Sequence, residues 1–491
     1  MKKTSSLECS RRQFLQGSAA LGASSATVAT PALADVTTDD YGARHGTLTG
    51  APAFTNWTRN IRCHPNVLVT PTSLTELQES VAKAKSVKAV GSGHSFSPCA
   101  HADDTMIVTD RLDRILLVDR QAMRVKVEAG KKLYAFNDEL AALGLALPSI
   151  GDIDRQSLAG LISTGSHGTG MKWGSFSDQA SIQAIEMVLA DGSLLSLNAD
   201  KPEDAEPLMA VRLGLGVLGI IYSITFNVLE AHNLEAHSWL MDLEDALDPR
   251  HYLENDHFEF FRFPFTTKVK AITRNRTDKP RLAQPIRTFI DKILLENVAL
   301  GAVLNAASFK PDVMPQVSRL LTHLVPDERR IDRSDKIMAS TRLVRAYEME
   351  YALPIAMAKQ AHERHASVVA DFSTRSDGAF FATFPSECRF LRGDQGNFLS
   401  PSQGQDTCFF SAMSHVAFKD YEPFFRAIET ELLALGGRPH WGKQFYQNPT
   451  SLYPNWTKFL GYRDRWDPTH KLKNIFMDRL LSGNEMLNHI A

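Results

Sequence analysis

Four residues, Val87-Lys88-Ala89-Val90, run straight into Gly91-Ser92-Gly93-His94-Ser95. A short strand ending on two glycines leaves its backbone open to close approach, because glycine has no Cβ to hold a neighbour off. A helical pattern precedes it, so the turn falls at the carboxyl end of a strand, where open α/β sheets bind ligands. The chain repeats the device. SIGDIDRQSLAGLISTGSHGTG, from Ser149, holds Gly151, Gly160, Gly165, Gly168 and Gly170 among hydroxyl residues, and GLGVLGIIYSITF, from Gly214, leads into a strand. Such turns expose backbone N–H groups in concave nests that bind phosphate. Ser157, Ser163, Thr164 and Ser166 add hydroxyls. No nicotinamide fingerprint joins strand to helix, and no Gly-Lys-Ser/Thr of a P-loop occurs. A pyrophosphate-bearing cofactor held by several separate turns is what remains.

Two of these turns carry histidines, His94 and His167. Neither has an acidic or histidine neighbour at ligand spacing, so no metal site is expected. The cysteines after residue 34, at 63, 99, 388 and 408, match no zinc or haem spacing. An oxidising compartment would permit disulfides among them, and buried free thiols are the other reading.

The surrounding pattern is α+β. TSLTELQESVAKAKS reads as a helix with Ser73 and Glu76 at capping-box spacing. RILLVDRQAMRVKVEAG reads as two strands turning near Asp119–Ala122, with Arg124, Lys126 and Glu128 on one side and Val125 and Val127 on the other. KLYAFNDELAALG reads as a helix stopped by Gly144, and IQAIEMVLADGSLLSLN as a hairpin turning at Asp191-Gly192. Phe54–Pro71 reads as a loop around Asn56-Trp57. From about 235 the texture changes to aromatic strands such as HFEFFRFPF, with amphipathic helices near 285–325.

The N-terminus, CSRRQFLQGSAALGASSATVATPALAD, has a twin arginine (Arg11-Arg12), a weakly apolar stretch and a small-residue cleavage pattern ending at Ala34. It reads as a twin-arginine export signal, which places the mature chain in the periplasm. Cleavage there removes four basic residues and one acid, leaving 50 basic against 55 acidic residues, net −5. With that charge and no Lys/Arg-rich run, nucleic acid is not an expected partner. No later stretch has eighteen consecutive apolar residues, so no membrane span is expected. Peripheral attachment to a membrane stays open.

VGSGHSF, SLAGLISTGSHGTG and LGVLGIIYSITF, in that order, resemble the PCMH-type FAD-binding domain of the vanillyl-alcohol oxidase superfamily. Further on, MEYALP, SECRFLRGD, RPHWGK and DRWDP, with FTNWTRNIRCHP near the start, resemble its sugar-lactone oxidase branch. That branch includes D-arabinono-1,4-lactone, L-gulonolactone and alditol oxidases. The resemblance spans about residues 50–480. It implies a two-subdomain FAD-binding domain over 53–232, after a signal at 1–34 and a leader at 35–52. An α+β substrate (cap) domain would follow over 233–435, with a segment at 436–491 returning to complete the site. It implies FAD joined covalently to His94, the pyrophosphate on Gly91, Ser92, Gly93 and Ser95, and a second FAD turn at Gly160, Ser163, Thr164, Gly165, His167, Gly168, Thr169 and Gly170. Ser157 would lie beside the reactive ring, and Ile220 or Ile221 would meet the cofactor through its backbone.

Glu387 and Arg389 stand two apart in a strand pattern and so share a face. An exposed ion pair of little worth is the plain reading. The resemblance implies instead a carboxylate and a guanidinium aimed at a polyhydroxylated substrate. It also turns Lys443 from a surface lysine into a cation near flavin N1 and C2=O, with His440 a weaker candidate for assisting hydroxyl deprotonation. The implied reaction moves hydride from a CH–OH carbon to flavin N5 on an aldonolactone or related polyol, with O2 reoxidising the flavin and releasing H2O2. A dehydrogenase passing electrons to a cytochrome or quinone is the nearest alternative. An exported, non-catalytic sugar-binding protein is the alternative of another class. The stretch 279–345 matches no motif.

Overall fold

The computed structural model describes residues 44–48, 51–282, 299–340, 342, 344–376 and 378–490. The expected export signal, most of the leader and part of the expected 285–325 helices lie outside the described residues.

Three short strands, β1 (Val67–Val69), β2 (Val87–Val90) and β3 (Thr105–Val108), form a parallel sheet in the order β1-β3-β2. Between β1 and β2 runs α1 (Leu74–Lys83), whose Leu77 and Val81 are fully buried. Ser73 caps it, its hydroxyl accepting from Glu76 N at 3.2 Å. Glu76 reaches back to Thr72 N at 2.7 Å, one residue before the partner a capping box would use. The stretch expected as a loop, Phe54–Pro71, contains the end of a strand at Ala51–Thr55, a two-residue strand at Arg62–Cys63, and β1. Strands this short show no alternation of their own and are specified by the strands they pair with.

An antiparallel sheet follows: β4 (Ile115–Asp119), β5 (Arg124–Glu128), β6 (Ile182–Val188), β7 (Leu194–Asn198) and β8 (Ile220–Asn227), in the order β7-β6-β8-β5-β4. Both predicted turns are present, with Gly192 at φ +89° in the second. Val125 and Val127 are buried as expected, yet so is Glu128, which accepts from Arg114 Nη2 at 2.7 Å and Tyr222 OH at 3.2 Å. The polar side of β5 therefore faces partners as well as solvent. Helices here include α2 (Leu133–Ala142), ended near Gly144 at φ +72°, and the short α3 (Leu158–Ser163).

Beyond Asn227 the chain builds an eight-stranded antiparallel sheet: β9 (Asn233–Asp242), β10 (His257–Arg262), β11 (Lys268–Thr277), β12 (Glu328–Arg333), β13 (Ala346–Pro354), β14 (Ser386–Leu391), β15 (Thr407–His415) and β16 (Arg438–Pro439). Its order is β12-β9-β11-β10-β14-β15-β13-β16. Helices α4 (Leu300–Ala307) and α5 (Met314–His323) precede β12, and α6 (Ala358–Thr374) and α7 (Glu422–Leu433) accompany the later strands. One sheet face is apolar. Phe258, Phe260, Phe390 and Phe410 are almost wholly buried on it, and His362 and His365 of α6 meet Phe410. Each such ring stabilises the fold by about 1.5–3 kcal/mol relative to exposure. Strand period two puts Glu259, Arg274, Glu348, Glu350, Glu387 and Arg389 on the other face.

After β16, helices α8 (Trp456–Trp466) and α9 (Ile475–Ser482) carry the chain back to its first sheet. Val87 N donates to Lys471 O at 2.9 Å, Arg62 N to Ile490 O at 2.8 Å, and Asn474 Nδ2 to His101 O at 2.9 Å. The two sheet systems and this returning tail make the two-domain α+β fold that the sequence predicts.

Candidate active site

A cavity of about 610 Å³ lies between the glycine turns and the polar face of the eight-stranded sheet. Gly91, Ser92, Gly93, His94 and Ser95 all line it. Gly91 has to be glycine: a Cβ there would fall 1.8 Å from Ser157 Oγ. Gly93 sits at φ +60°, where side chains are strained. The turn is held from both sides. Trp57 N donates to Gly93 O at 2.9 Å and Asn56 Nδ2 to Ser95 O at 3.0 Å, while Phe96 N donates to Gly442 O at 2.8 Å and Ser97 Oγ to Trp441 O at 2.6 Å. Half-buried His94 sets its ring 5.5 Å from that of Trp57.

The second turn divides. Gly160, Ser163, Thr164 and His167 line the cavity, as do Ile220 and Ile221 at the start of β8. Gly165, Gly168, Thr169 and Gly170 stand outside its wall. Thr169 instead spends its hydroxyl on the carbonyls of Phe258 and Phe390, and Gly170 N donates to Phe390 O at 2.7 Å. This end of the glycine run bonds the cofactor side to strands β10 and β14. Ser157 lines the cavity but is almost wholly buried, capping α3 with its hydroxyl on Gly160 N at 3.3 Å. The turns suit a large phosphate-bearing cofactor. Their backbone faces one cavity, and Gln156, also in its wall, has a buried Oε1 with no donor among the described residues.

Opposite the turns, Glu387 and Arg389 are 3% and 8% exposed, which rules out the surface ion pair. Arg389 Nη2 donates to Glu387 Oε1 at 2.6 Å and lies 2.9 Å from Asp152 Oδ2. Glu259 Oε2 is 3.4 Å from Arg389 Nε and its other oxygen accepts from Arg274 Nη2 at 2.7 Å, while Asp152 also holds Arg342 at 2.5 Å. Burial, with the charges of Asp152 and Glu259 against the opposing guanidiniums, pushes the Glu387 carboxyl up to about 8. Burial also raises Asp152, but Arg389, Arg342 and Arg274 outweigh it and hold that carboxyl below its usual range.

Lys443 lines the same cavity, its Nζ 2.5 Å from Glu348 Oε2 and 4.0 Å from Glu350. His440 is buried, and burial takes its imidazole down to about 3. Its Nδ1 accepts from Gly442 N at 3.0 Å, so the neutral ring carries its proton on Nε2. In that tautomer His440 offers a donor from Nε2. His167, expected to have no ligand-type neighbour, meets both Glu350 (3.3 Å) and His440 (rings 5.7 Å apart) across the fold. His167, Glu350 and His440 lie close enough to share an ion, as do Asp152, Glu259 and Glu387. In each set a protein cation already stands on a carboxylate: Lys443 near Glu350, and Arg389 among the three acids.

Asp152, Glu259, Arg274, Arg342, Glu348 and Glu350 were not singled out from the sequence. Glu259 within HFEFFRFPF and the pair Glu348/Glu350 within YEMEYALP carry the usable signal, charges at alternate positions of otherwise apolar strands. Asp152 and Arg342 carry none. The four described cysteines are free thiols, with Cys99 half-buried and the others buried.

The comparisons with known proteins agree with this geometry. A family model for D-arabinono-1,4-lactone oxidase matches residues 224–480 and one for an FAD binding domain matches 65–198. The chain is 36% identical over 440 residues to the L-gulono-1,4-lactone dehydrogenase of Mycobacterium tuberculosis, covering 88% of this chain and 99% of that one. It is 30% identical to the L-gulonolactone oxidase of Scyliorhinus torazame (87% and 97% covered) and 26% to the D-arabinono-1,4-lactone oxidase of Saccharomyces cerevisiae (81% and 85%). Among solved structures, the cholesterol oxidase of B. sterolicum superposes with a TM-score of 0.70 at 15% identity, covering 91% of this chain and 98% of that one. At that identity the likeness speaks for the fold alone. With a lactone-oxidase family model over more than half its length, and glycine turns and a buried Glu–Arg pair facing one cavity, the chain belongs to the D-arabinono-1,4-lactone oxidase family of FAD-dependent oxidoreductases.

Proposed function

We propose that this protein oxidises a CH–OH group of an aldonolactone, of the D-arabinono-1,4-lactone or L-gulonolactone type, or of a related polyol. The observation that carries the reading is the buried Glu387–Arg389 pair facing the His94 turn across one cavity, with Lys443 in the same wall. When bound, FAD supplies the acceptor for the hydride that leaves the carbinol carbon. The chain's residues do the rest. Arg389, always charged, donates to the lactone carbonyl or a ring hydroxyl. Glu387, once ionised, takes the proton of the reacting hydroxyl, and its raised proton affinity suits a base working near pH 8. His440 donates from Nε2. Lys443 supplies positive charge to the cofactor side of the cavity.

His94 is the proposed covalent anchor, and its place at the tip of a turn clamped from both sides supports that role. Acid precipitation tests it: flavin colour staying in the wild-type pellet and leaving in His94→Ala supports the anchor, and colour retained in His94→Ala places it elsewhere. The whole reading is tested by mixing anaerobic holoenzyme with L-gulono-1,4-lactone. Bleaching of the flavin band is expected, and a band untouched by any aldonolactone or alditol sinks the proposal.

Oxygen is the first reading for the final acceptor, with H2O2 the product. The relative named a dehydrogenase, at 36% identity, favours a cytochrome or quinone instead. Oxygen uptake during turnover separates the two. Export through the twin-arginine route rests on Arg11-Arg12 and the Ala34 site. Replacing both arginines by lysine should keep the protein in the cytoplasm, and unchanged periplasmic recovery would refute it. Among the described residues no helix is long and apolar enough to cross a membrane.

A further inference from the structure

Arg389 is surrounded by more carboxylate than its own strand provides. Besides Glu387 it meets Asp152 and Glu259, and these two also hold Arg342 and Arg274. Three guanidiniums and three carboxylates thus share one wall of the cavity, and all six line it. Glu259, Arg274, Glu387 and Arg389 are buried, and Asp152 and Arg342 half-buried. Five of the six come from the eight-stranded sheet or the segment between β12 and β13. Asp152 alone comes from the glycine-rich loop opposite, fastened there by Ser340 N donating to its backbone oxygen at 2.7 Å.

Above about pH 8, where Glu387 is ionised as well, the cluster has no net charge. Its unused capacity is of one kind: Arg274 Nε and Nη1, Arg342 Nε and Arg389 Nε are buried N–H groups with no hydrogen-bond acceptor among the described residues. Such a wall suits neutral oxygens, hydroxyl or carbonyl, which need donors and bring no charge. It suits a carboxylate badly. An anion entering here loses its hydration and finds every guanidinium already paired with an acid. The distinction matters for a lactone site, because water opens an aldonolactone to the aldonate, and substrate and hydrolysis product meet the enzyme together.

We propose that Asp152 determines specificity in this site: by neutralising Arg389 and Arg342 it leaves only their remaining N–H groups, which serve a neutral lactone, and closes the wall to the open-chain aldonate. The proposal rests on the lactone-oxidising reading above. It assigns Asp152 no contact with the reacting atoms; Asp152 acts through Arg389 and Arg342.

The test uses flavin-loaded holoenzyme and labelled L-gulonate in equilibrium dialysis at pH 9, where Glu387 is ionised, beside anaerobic bleaching by fresh L-gulono-1,4-lactone. Wild type should be bleached by lactone and retain no gulonate at 10 mM. Asp152→Asn, with one uncompensated guanidinium, should bind gulonate at least tenfold more tightly, and Asp152→Glu should restore refusal. A general loosening of the site would not create affinity for an anion, nor be repaired by glutamate. Should Asp152→Asn fail to fold, Asp152→Ser makes the same reading. Equal gulonate binding by wild type and variant, in either direction, overturns the role of Asp152 while lactone bleaching stands. Wild type that no aldonolactone bleaches overturns this inference and the functional reading together.

Discussion

The two walls of the cavity are built in opposite ways. The turn wall uses backbone: Gly91–Ser95 supplies it from five consecutive residues, and its shape depends on side chains that are missing. The sheet wall uses long charged side chains, spread over strands from Asn233 to Pro439 and completed by Asp152, Arg342 and Lys443 from outside them. A backbone wall tolerates no added atom. A side-chain wall tolerates no change of charge. Failures on the first side should appear as lost fold or cofactor, and on the second as lost chemistry in a protein that still folds.

The largest expected effect is on the chemistry. Lys443→Met should slow flavin reduction about 10²–10³-fold, the scale of removing one charge-stabilising donor, with the far-ultraviolet circular dichroism unchanged. An unaltered reduction rate in stopped flow would remove Lys443 from the working wall. Arg389→Lys keeps the charge but loses the planar fork, and should cost roughly 10–100-fold in kcat/KM, from hydrogen bonds to charged groups worth about 1.5–3 kcal/mol. A loss confined to thermal stability would make Arg389 scaffolding and blur the contrast.

On the turn side, Gly91→Ala should destabilise by about 1–3 kcal/mol through overpacking on Ser157. Gly91→Ala combined with Ser157→Gly should regain part of that loss, a coupling that urea titration of the four proteins measures. Strict additivity would show that the close approach does not matter.

A separate effect is on stability against pH. Glu387 has its folded pKa raised from 4.5 to about 8, so its contribution is fully present below 4.5 and is lost as pH rises through about 8. His440, depressed from 6.5 to about 3, contributes fully above 6.5 and loses it as pH falls through about 3. Glu387→Gln should therefore flatten the decline in Tm between pH 5 and 9. A decline as steep as in wild type would assign it to other groups.

The same contrast explains what the sequence could reveal. The turn wall is local, and glycines required by a close approach or a positive φ are visible as letters. So were α1, both predicted hairpin turns and the common face of Glu387 and Arg389, each set by spacing over a few residues. The partners of that pair were not visible. Glu259 lies opposite Arg389 only through the β10–β14 register, and Asp152 reaches it only because the two domains close on each other. Thr169 and Gly170 sit in a glycine run that looks uniform in sequence, yet there the run turns from lining the cavity to bonding β10 and β14. The tautomer of His440 was equally out of reach, because a backbone N–H two residues on sets it.

The clamp on the His94 turn has a consequence for how the protein is made. One jaw, Asn56–Trp57, leaves the ribosome early. The other, Trp441–Gly442, and the strut from Lys471 to Ile490 that steadies the first sheet, follow only after Pro439. Asn60 Nδ2, which donates to Phe96 O at 2.8 Å in that early jaw, also reaches the carbonyl of Asn488. A nascent chain therefore holds the glycine turn without its second support until those distant residues have been made. The final setting of the turn thus depends on contacts made far along the chain.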